Sequence, residues 1–361
     1  MLAFCVNNKQ VDFFEKLKEK TNLKIKIIRS FKLFKFNINA FSIWKKIYLN
    51  ELILLRIKDY QQKYSLPIPK YLLFIFFKIN AIFCVMRYYQ VIKQSKKLLV
   101  WNGFMFRQAI AIEIAKLHKI DIIYFETGFL PHRFVMDIKG VNFYNSVPRE
   151  KSFFLNYKNN KVLPTSLIAR QPKNKSKFFV STKESLPVNY IFIPFQVEHD
   201  TQILLFSSWI HSMEELFFLI KQVAEELGLN FVFKEHPSSK KEYRKLHKIT
   251  QNHQYLSFKN TYETQELIEK ANAIITINSS IGIESLLFHQ KVITLGDAFF
   301  NIEGVVKHSN NKEELITTLK HLDKYELNQH LIQNFLKYLY WDYLIDNQLK
   351  DSTVNRLRSL L

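Results

Sequence analysis

Between residues 190 and 322 the chain alternates short apolar runs with amphipathic stretches of helical period, and few folds accept that pattern. Tyr190–Pro194, Asn230–Lys234, Tyr255–Phe258, Ala273–Ile277 and Lys291–Leu295 read as buried strands. Met213–Leu227, Lys240–Thr250, Glu263–Ala271, Ile281–His289 and Lys312–Leu322 read as the helices, the first stopped by Gly228 acting as a C-cap. Strictly alternating strands and helices predict an α/β fold with a parallel sheet.

The first half repeats the theme less regularly. Strands are expected at Leu2–Val6, Leu23–Ile28, Leu98–Trp101 and Ile120–Phe125, with helices near Val11–Lys20, Tyr71–Ile92 and Phe106–His118. Residues 150–187 are polar and lysine-rich, with KNKSK at 173–177, and prolines bracket them. The expected division is therefore an α/β domain over 1–150 carrying a basic-aromatic insertion and a linker over 151–187. A second α/β domain follows over 188–325, then closing helices over 326–361. Two Rossmann-like α/β domains facing a central cleft, with C-terminal helices packing back, form the outline of a GT-B glycosyltransferase, an inference from fold analogy.

Composition removes several alternatives. The seven glycines include no G-x-G pair, so neither a dinucleotide fingerprint nor a P-loop is present. Two cysteines, Cys5 and Cys84, support neither a disulfide framework nor a cysteine zinc site, which fits a reducing cytoplasm. The start MLAFCVNNKQ has no basic leader or long apolar core, so no signal peptide is expected. In Tyr71–Ile92, the most lipid-like stretch, Lys78, Asn80 and Arg87 interrupt the apolar run; it reads as a buried helix or one lying against a bilayer. The net charge of +20 favours an anionic partner, or reflects an AT-rich codon bias. Lys20–Asn50 alone holds eight basic residues and no acid.

Four polar clusters sit just past expected strand ends, where open α/β sheets place ligands. The first runs from Glu126-Thr127-Gly128 through Pro131-His132-Arg133, Asp137, Gly140-Val141-Asn142 and Pro148-Arg149. Glu126 there either faces a ligand or caps the amides of its own turn. In the second, Pro194-Phe195-Gln196-Val197-Glu198-His199-Asp200, Gln196 and Asp200 line one wall of a site, with Asp200 as nucleophile or base. Alternatively Asp200 merely begins a loop and Glu198 is solvated. Third, Lys234-Glu235-His236-Pro237 offers a histidine for a phosphate or carboxylate, or is a structural turn. The fourth, Thr276 to Ser285, is a strand, a hydroxyl-rich turn and a helix start. Ser279 or Ser280 is the expected N-cap, leaving amides for an anion, with Glu284 one turn in to accept from ribose hydroxyls. The alternative is a simple capping box. With no D-x-D, H-E-x-x-H or EF-hand pattern, no metal is expected.

Taken in order, these clusters resemble the bacterial capsule polysaccharide synthesis family, whose members include retaining β-Kdo transferases using CMP-Kdo (Kdo is a deoxy-octulosonic acid). The matching elements are E-T-G-F-L-P at 126–131, G-V-N with P-R at 140–149, P-x-Q-x-x-x-D at 194–200 and K-E-H-P at 234–237. T-I-N-S-S-I-G-I-E-S at 276–285 and L-G-D-A-F-F at 295–300 complete the set. The resemblance implies that 1–150 is the acceptor side and 188–325 binds the nucleotide sugar. It makes Asp200 the nucleophile of a double displacement and Glu126 the acid/base. Gln196, Lys234, His236, Gly128, Arg133 and Asn142 would contact substrate, and Asn278, Ser279, Ser280, Gly282 and Glu284 the nucleotide. His132 stands where many relatives carry arginine, with Arg133 one place later.

The expected protein is thus a glycosyltransferase that needs no cofactor beyond its CMP-Kdo donor. Its acceptor is a lipid-linked or growing capsular saccharide. It would work in the cytoplasm against the anionic inner-membrane surface, alongside other capsule-assembly proteins and without nucleic acid. The alternatives are a GT-B transferase for another nucleotide sugar, or a non-catalytic basic protein binding membrane or nucleic acid.

Overall fold

The computed structural model describes residues 1–32, 37–64, 67–167, 185–239, 241–349, 354–355 and 357–358. The chain forms two compact units. One comprises residues 1–128, 132–146 and 344–361; the other comprises 129–131 and 147–343. The division thus falls at 146/147 rather than 150, and the last residues group with the first unit rather than with 326–343. Of the expected linker 151–187, Lys151–Asn156 is a helix of the second unit (α5), and the KNKSK tract lies outside the described residues.

The first unit is built on β1 (Leu2–Cys5), β2 (Lys26–Arg29), β3 (Lys97–Trp101), β4 (Asp121–Thr127) and β5 (Arg133–Asp137). β2, β1, β3 and β4 are parallel; β5 runs antiparallel to β4, and a short strand Ile345–Asp346 runs antiparallel to β5. Side chains alternate across the sheet as strand geometry demands. Leu2, Phe4, Leu98 and Val100 face α2 (Leu49–Tyr64), α3 (Lys70–Lys93) and α4 (Phe106–Leu117), which pack on that side. Ala3, Cys5, Leu99, Ile123 and Phe125 face α1 (Asn8–Thr21) and the C-terminal Leu349, Val354 and Leu357. Three elements depart from expectation. A 3-10 segment, Ile38–Lys46, and α2 occupy a stretch with no expected structure, and β5 lies inside the first polar cluster. Only the polar ends of β5, Arg133 and Asp137, are conspicuous in the sequence; its interior Phe134, Val135 and Met136 are buried.

The second unit contains β6 (Tyr190–Pro194), β7 (Asn230–Lys234), β8 (Leu256–Phe258), β9 (Ala273–Thr276), β10 (Val292–Thr294) and β11 (Lys307–His308). All are parallel, in the spatial order β8-β7-β6-β9-β10-β11. Counted within the unit this is 3-2-1-4-5-6, the doubly wound order, with its switch point between β6 and β9. Ile191, Ile193, Phe231 and Phe233 pack beneath α7 (Met213–Leu227), α8 (Arg244–Gln251) and α11 (Lys312–Lys320). Tyr190, Phe192, Val232 and Ile274 face the opposite layer, α9 (Thr264–Glu269) and α10 (Ile281–Leu286). α7 begins where the Ser212 side chain accepts from Glu215 N and ends at Gly228, whose φ of +66° admits glycine without strain. The expected closing helices resolve into α12 (Gln329–Lys337), a π-helical turn at Tyr338–Tyr343 and the strand at 345–346. The strand interrupts the expected helical tail because Ile345 and Asp346 pair with Phe134 and Arg133 of β5, and residues 354–355 and 357–358 beyond it are helical.

Candidate functional site

The C-terminal ends of β6, β7 and β9 carry three of the four polar clusters to one edge of the second sheet. Gln196, two residues past β6, is 7% exposed, and its amide bridges the switch point. Its Oε1 accepts from Thr276 Oγ1 at 3.2 Å and from Asn278 N at 3.3 Å, while its Nε2 donates to Asn278 Oδ1 at 3.2 Å. Asn278, 1% exposed, turns its own amide the other way. Its Nδ2 donates to the carbonyls of Gln202 and Phe206, each at 2.9 Å. Those carbonyls belong to the short helix α6 (Thr201–Phe206), which Asp200 caps.

Asp200 is exposed. One carboxylate oxygen, Oδ1, accepts from Gln202 N at 3.0 Å and from Thr201 Oγ1 at 3.4 Å. α6 is thereby held at both ends, by Asp200 at its start and by Asn278 toward its finish. Gly296 completes the anchor: a Cβ there would stand 2.7 Å from Phe206 O and 2.8 Å from Ile277 Cγ2. Asp297 N donates to the same Phe206 carbonyl at 2.8 Å. The P-x-Q-x-x-x-D, T-I-N-S and L-G-D elements are thus one hydrogen-bonded assembly that sets the place of Asp200. Glu198 is not simply solvated: it accepts from Met213 N at 2.8 Å and pairs with Lys241 at 3.1 Å.

At β7 the arrangement is a pocket of about 340 Å³, within the range of small-molecule sites. Lys234, Glu235 and His236 form one wall and Glu263, Gln265 and Glu266 another. Lys234 does not extend freely into it. Its ammonium donates to the carbonyls of Asn260 (2.9 Å) and Tyr262, bracing the turn before α9. Burial lowers its pKa to about 8, with the Glu263 carboxylate pulling the other way. His236 Nδ1 accepts from Ser238 N at 3.1 Å, which places the proton of the neutral ring on Nε2. Glu235, 5% exposed, lies 2.7 Å from His247 Nε2, and the His247 ring stacks on Phe258. Glu263, Gln265 and Glu266 were not among the expected site residues. Their signal in the sequence is an acid- and amide-rich helix start, E-T-Q-E, following β8 at the ligand-bearing sheet edge.

At α10, Ser280 occupies the N-cap position, but the hydroxyl that accepts is that of Ser279, from Ile281 N at 3.3 Å. Ser280 Oγ instead donates to Glu284 Oε1 at 3.4 Å, and Glu284 is 8% exposed. Gly282 has a packing reason: a Cβ would stand 2.9 Å from the Phe300 ring. Gln196, Asn278 and Gly282, expected as ligand contacts, are therefore placed as supports beneath the sheet edge. Lys234 braces its wall. Ser279 and Ser280 are half-buried at the helix start.

In the first unit, Glu126 lies at the end of β4. Its Oε2 accepts from Asn102 Nδ2 at 2.7 Å and its Oε1 from Thr127 N at 2.7 Å. The carboxylate caps the amide of its own neighbour, as the second reading of the turn has it, and is also clamped by Asn102. Asn102, just past β3 with φ +66°, was missed; the W-N-G sequence after an apolar strand is its only mark. Gly128 permits the β4–β5 connection to close, because a Cβ would stand 2.5 Å from Arg133 O. Arg133 pairs with Asp346 at 2.9 Å with its side chain 7% exposed. Buried Asp137 collects Lys139 N, Gly140 N, Ser146 N and Ser146 Oγ, shaping the loop that carries Asn142 at φ +57°. Each unit presents its own anchored carboxylate, Glu126 in one and Asp200 in the other.

Comparison with known proteins places these clusters in a family. A model described as capsule polysaccharide biosynthesis protein matches residues 97–185 and 178–345. Protein FixF of Sinorhizobium fredii (strain NBRC 101917 / NGR234) is 34% identical over 251 residues, which is 69% of this chain and 60% of that protein. Among solved structures, Thermosulfurimonas dismutans KpsC, a beta Kdo 2,7 transferase, aligns over 100% of this chain and 99% of its own, at 14% identity and TM-score 0.49. The Methanocaldococcus jannaschii UDP-GlcNAc 2-epimerase in complex with UDP-GlcNAc and UDP aligns over 99% and 98%, at 12% identity and TM-score 0.42. On the family match, which runs from residue 97 to residue 345, the chain belongs to the capsule polysaccharide biosynthesis family.

Proposed function

We propose that the chain is a glycosyltransferase moving Kdo from CMP-Kdo onto a lipid-linked or growing capsular saccharide, with retention of configuration, at the cytoplasmic face of an anionic membrane. The observation that carries this reading is the assembly at β6, β7 and β9. There a carboxylate held through one oxygen stands on the same sheet edge as a polar pocket and a serine-rich helix start. The resemblance of the ordered motifs supplies the donor sugar.

In this reading Asp200 attacks the anomeric carbon of Kdo, forming a covalent ester as CMP leaves. Glu126 then takes the proton of the acceptor hydroxyl as that oxygen displaces Asp200. Two inversions return the starting configuration, as in retaining glycosyl transfer with paired carboxylates. The departing phosphate needs electropositive company, and His236 together with the Ser280 amide supplies it, the Ser279 amide being engaged by Thr276 Oγ1 at 3.2 Å. Ribose hydroxyls donate to the acidic wall of Glu263 and Glu266. Gln196, Asn278 and Lys234 act by positioning, Gly282 by packing, and Arg133 and Asn142 shape the loops of the first unit beside Gly128.

Thermal denaturation with CMP, UDP and GDP tests the donor. CMP alone should raise the midpoint appreciably, since a ligand that binds only the folded state stabilises it by RT ln(1 + L/Kd), where L is the free ligand concentration. Stabilisation by UDP or GDP in its place moves the assignment to another nucleotide sugar.

A further inference from the structure

The first unit carries an apolar stripe that its core does not use. Along α3, Leu73, Phe77, Ala81, Cys84, Val85 and Tyr88 are buried against α2, α4 and the sheet. On the other side Leu72, Ile75, Phe76, Ile79 and Phe83 are each between 47% and 59% exposed. At about 100° per residue these five fall within an arc of roughly 100°, about 16 Å long, with no polar side chain between them. The 3-10 segment lies along the end of the same helix, where Asn37 N donates to Met86 O at 3.0 Å. It contributes Ile38 and Phe41, 78% and 52% exposed.

The segment that carries the stripe is strongly basic. Residues 20–93 hold 15 lysines and arginines against two acids, so +13 of the chain's +20 lies in about a fifth of its length. A genome-wide codon bias would spread that excess evenly; here it is concentrated. Lys45, Lys46 and Lys70 are exposed. Lys78 flanks the stripe, its Nζ 5.5 Å from the Trp44 ring and 5.9 Å from that of Phe74.

We infer that this face is a docking surface for a bilayer containing anionic phospholipid, with α3 lying in the plane of the headgroups. α3 is long and apolar enough to cross a membrane by composition. Its opposite face is committed to the core of the unit, so in the folded protein it lies on the bilayer and does not span it. Apolar side chains enter the acyl boundary while flanking cations meet phosphate, the pattern of an interfacial amphipathic helix. A second copy of the chain would bring a like excess of positive charge to the same face. A nucleic acid would leave the aliphatic stripe without a counterpart. The inference extends the proposed reading, in which the acceptor is lipid-linked, by naming the surface that brings the enzyme to it.

The test is sedimentation of the full chain with vesicles of phosphatidylcholine containing about 30% phosphatidylglycerol, and with phosphatidylcholine alone. No donor or acceptor is present, so the result is independent of whether the transferase assignment holds. Wild type should bind the anionic vesicles and bind the neutral ones at least tenfold more weakly, on the order expected for several lysines at the surface. Phe76→Asp with Ile79→Asp should cut binding roughly tenfold or more, whereas Phe218→Asp, on α7 of the other unit, should leave it unchanged. Lys45→Ala with Lys46→Ala, which leaves the helix intact, should lower anionic binding by about tenfold. Equal binding to both vesicle types, or none, overturns the inference, as does full binding by both paired variants. A wild-type dimer that the paired aspartates turn into monomer, seen by light scattering, also overturns it and assigns the stripe to self-association.

Discussion

Gln196 Nε2 donates to Asn278 Oδ1 across the switch point of the second sheet, and Asn278 Nδ2 passes the connection on to the helix that Asp200 caps. Two buried amides thus tie the ends of β6 and β9 to the place of an exposed carboxylate. Each side-chain oxygen and nitrogen of the two amides has a partner in the protein, which makes the relay costly to interrupt.

Asn278→Ala removes the side-chain donor to the Gln202 and Phe206 carbonyls and takes the acceptor from Gln196 Nε2. Stability should fall by about 2–4 kcal/mol in urea denaturation. Gln196→Leu, similar in size but without hydrogen bonds, should cost a comparable amount. A loss under about 0.5 kcal/mol in both variants would mean that the assembly does not hold the site.

Gly296→Ala tests the same region by volume. The added methyl would meet the Phe206 carbonyl at 2.7 Å, a backbone atom already fixed by Asn278 and Asp297. Thermal denaturation should show a destabilisation of about 2 kcal/mol or more.

Lys234 gives a pH-dependent prediction. Its pKa is about 8 in the folded protein, against an ordinary value of 10.5. Between those values the unfolded chain binds a proton that the folded chain does not, so folding becomes more favourable as pH rises. Relative to Lys234→Met, the wild type should gain roughly 1–3 kcal/mol from pH 8 to pH 10.5, and the difference should be flat below about pH 7. The neutral amine retains two N–H groups for the Asn260 and Tyr262 carbonyls.

Asn102→Ala addresses Glu126. Losing the clamp at 2.7 Å should lower transfer by about tenfold while CMP still stabilises the protein as in wild type, because Asn102 acts through a carboxylate assigned to the acceptor.

Much of the second unit is legible in the sequence. Tyr190–Pro194, Met213–Leu227 and Asn230–Lys234 are bounded as expected, since each is strongly periodic and stopped by proline, glycine or a polar turn. α6 and β11 are not legible. Each is too short to show a period, and α6 exists because Asp200 and Asn278 satisfy its ends from outside. The same limit applies to the candidate site. Residue types at strand ends marked its neighbourhood, including Asp200, Glu126 and His236. Which amides face a ligand and which face another strand depends on packing across 82 residues of sequence, as between Gln196 and Asn278. In the first unit, Arg56, Lys58 and Lys63 break the apolar pattern of α2, and Asn39 and Ser42 that of the 3-10 segment.

The central claim is tested most directly by mass spectrometry of a reaction with CMP-Kdo and a Kdo-bearing lipid acceptor, comparing wild type with Asp200→Ala. The account predicts an acceptor heavier by one Kdo residue and release of CMP with wild type, and no product from a folded Asp200→Ala protein. Full activity in that variant, or no transfer by wild type while another nucleotide sugar is consumed, would contradict it.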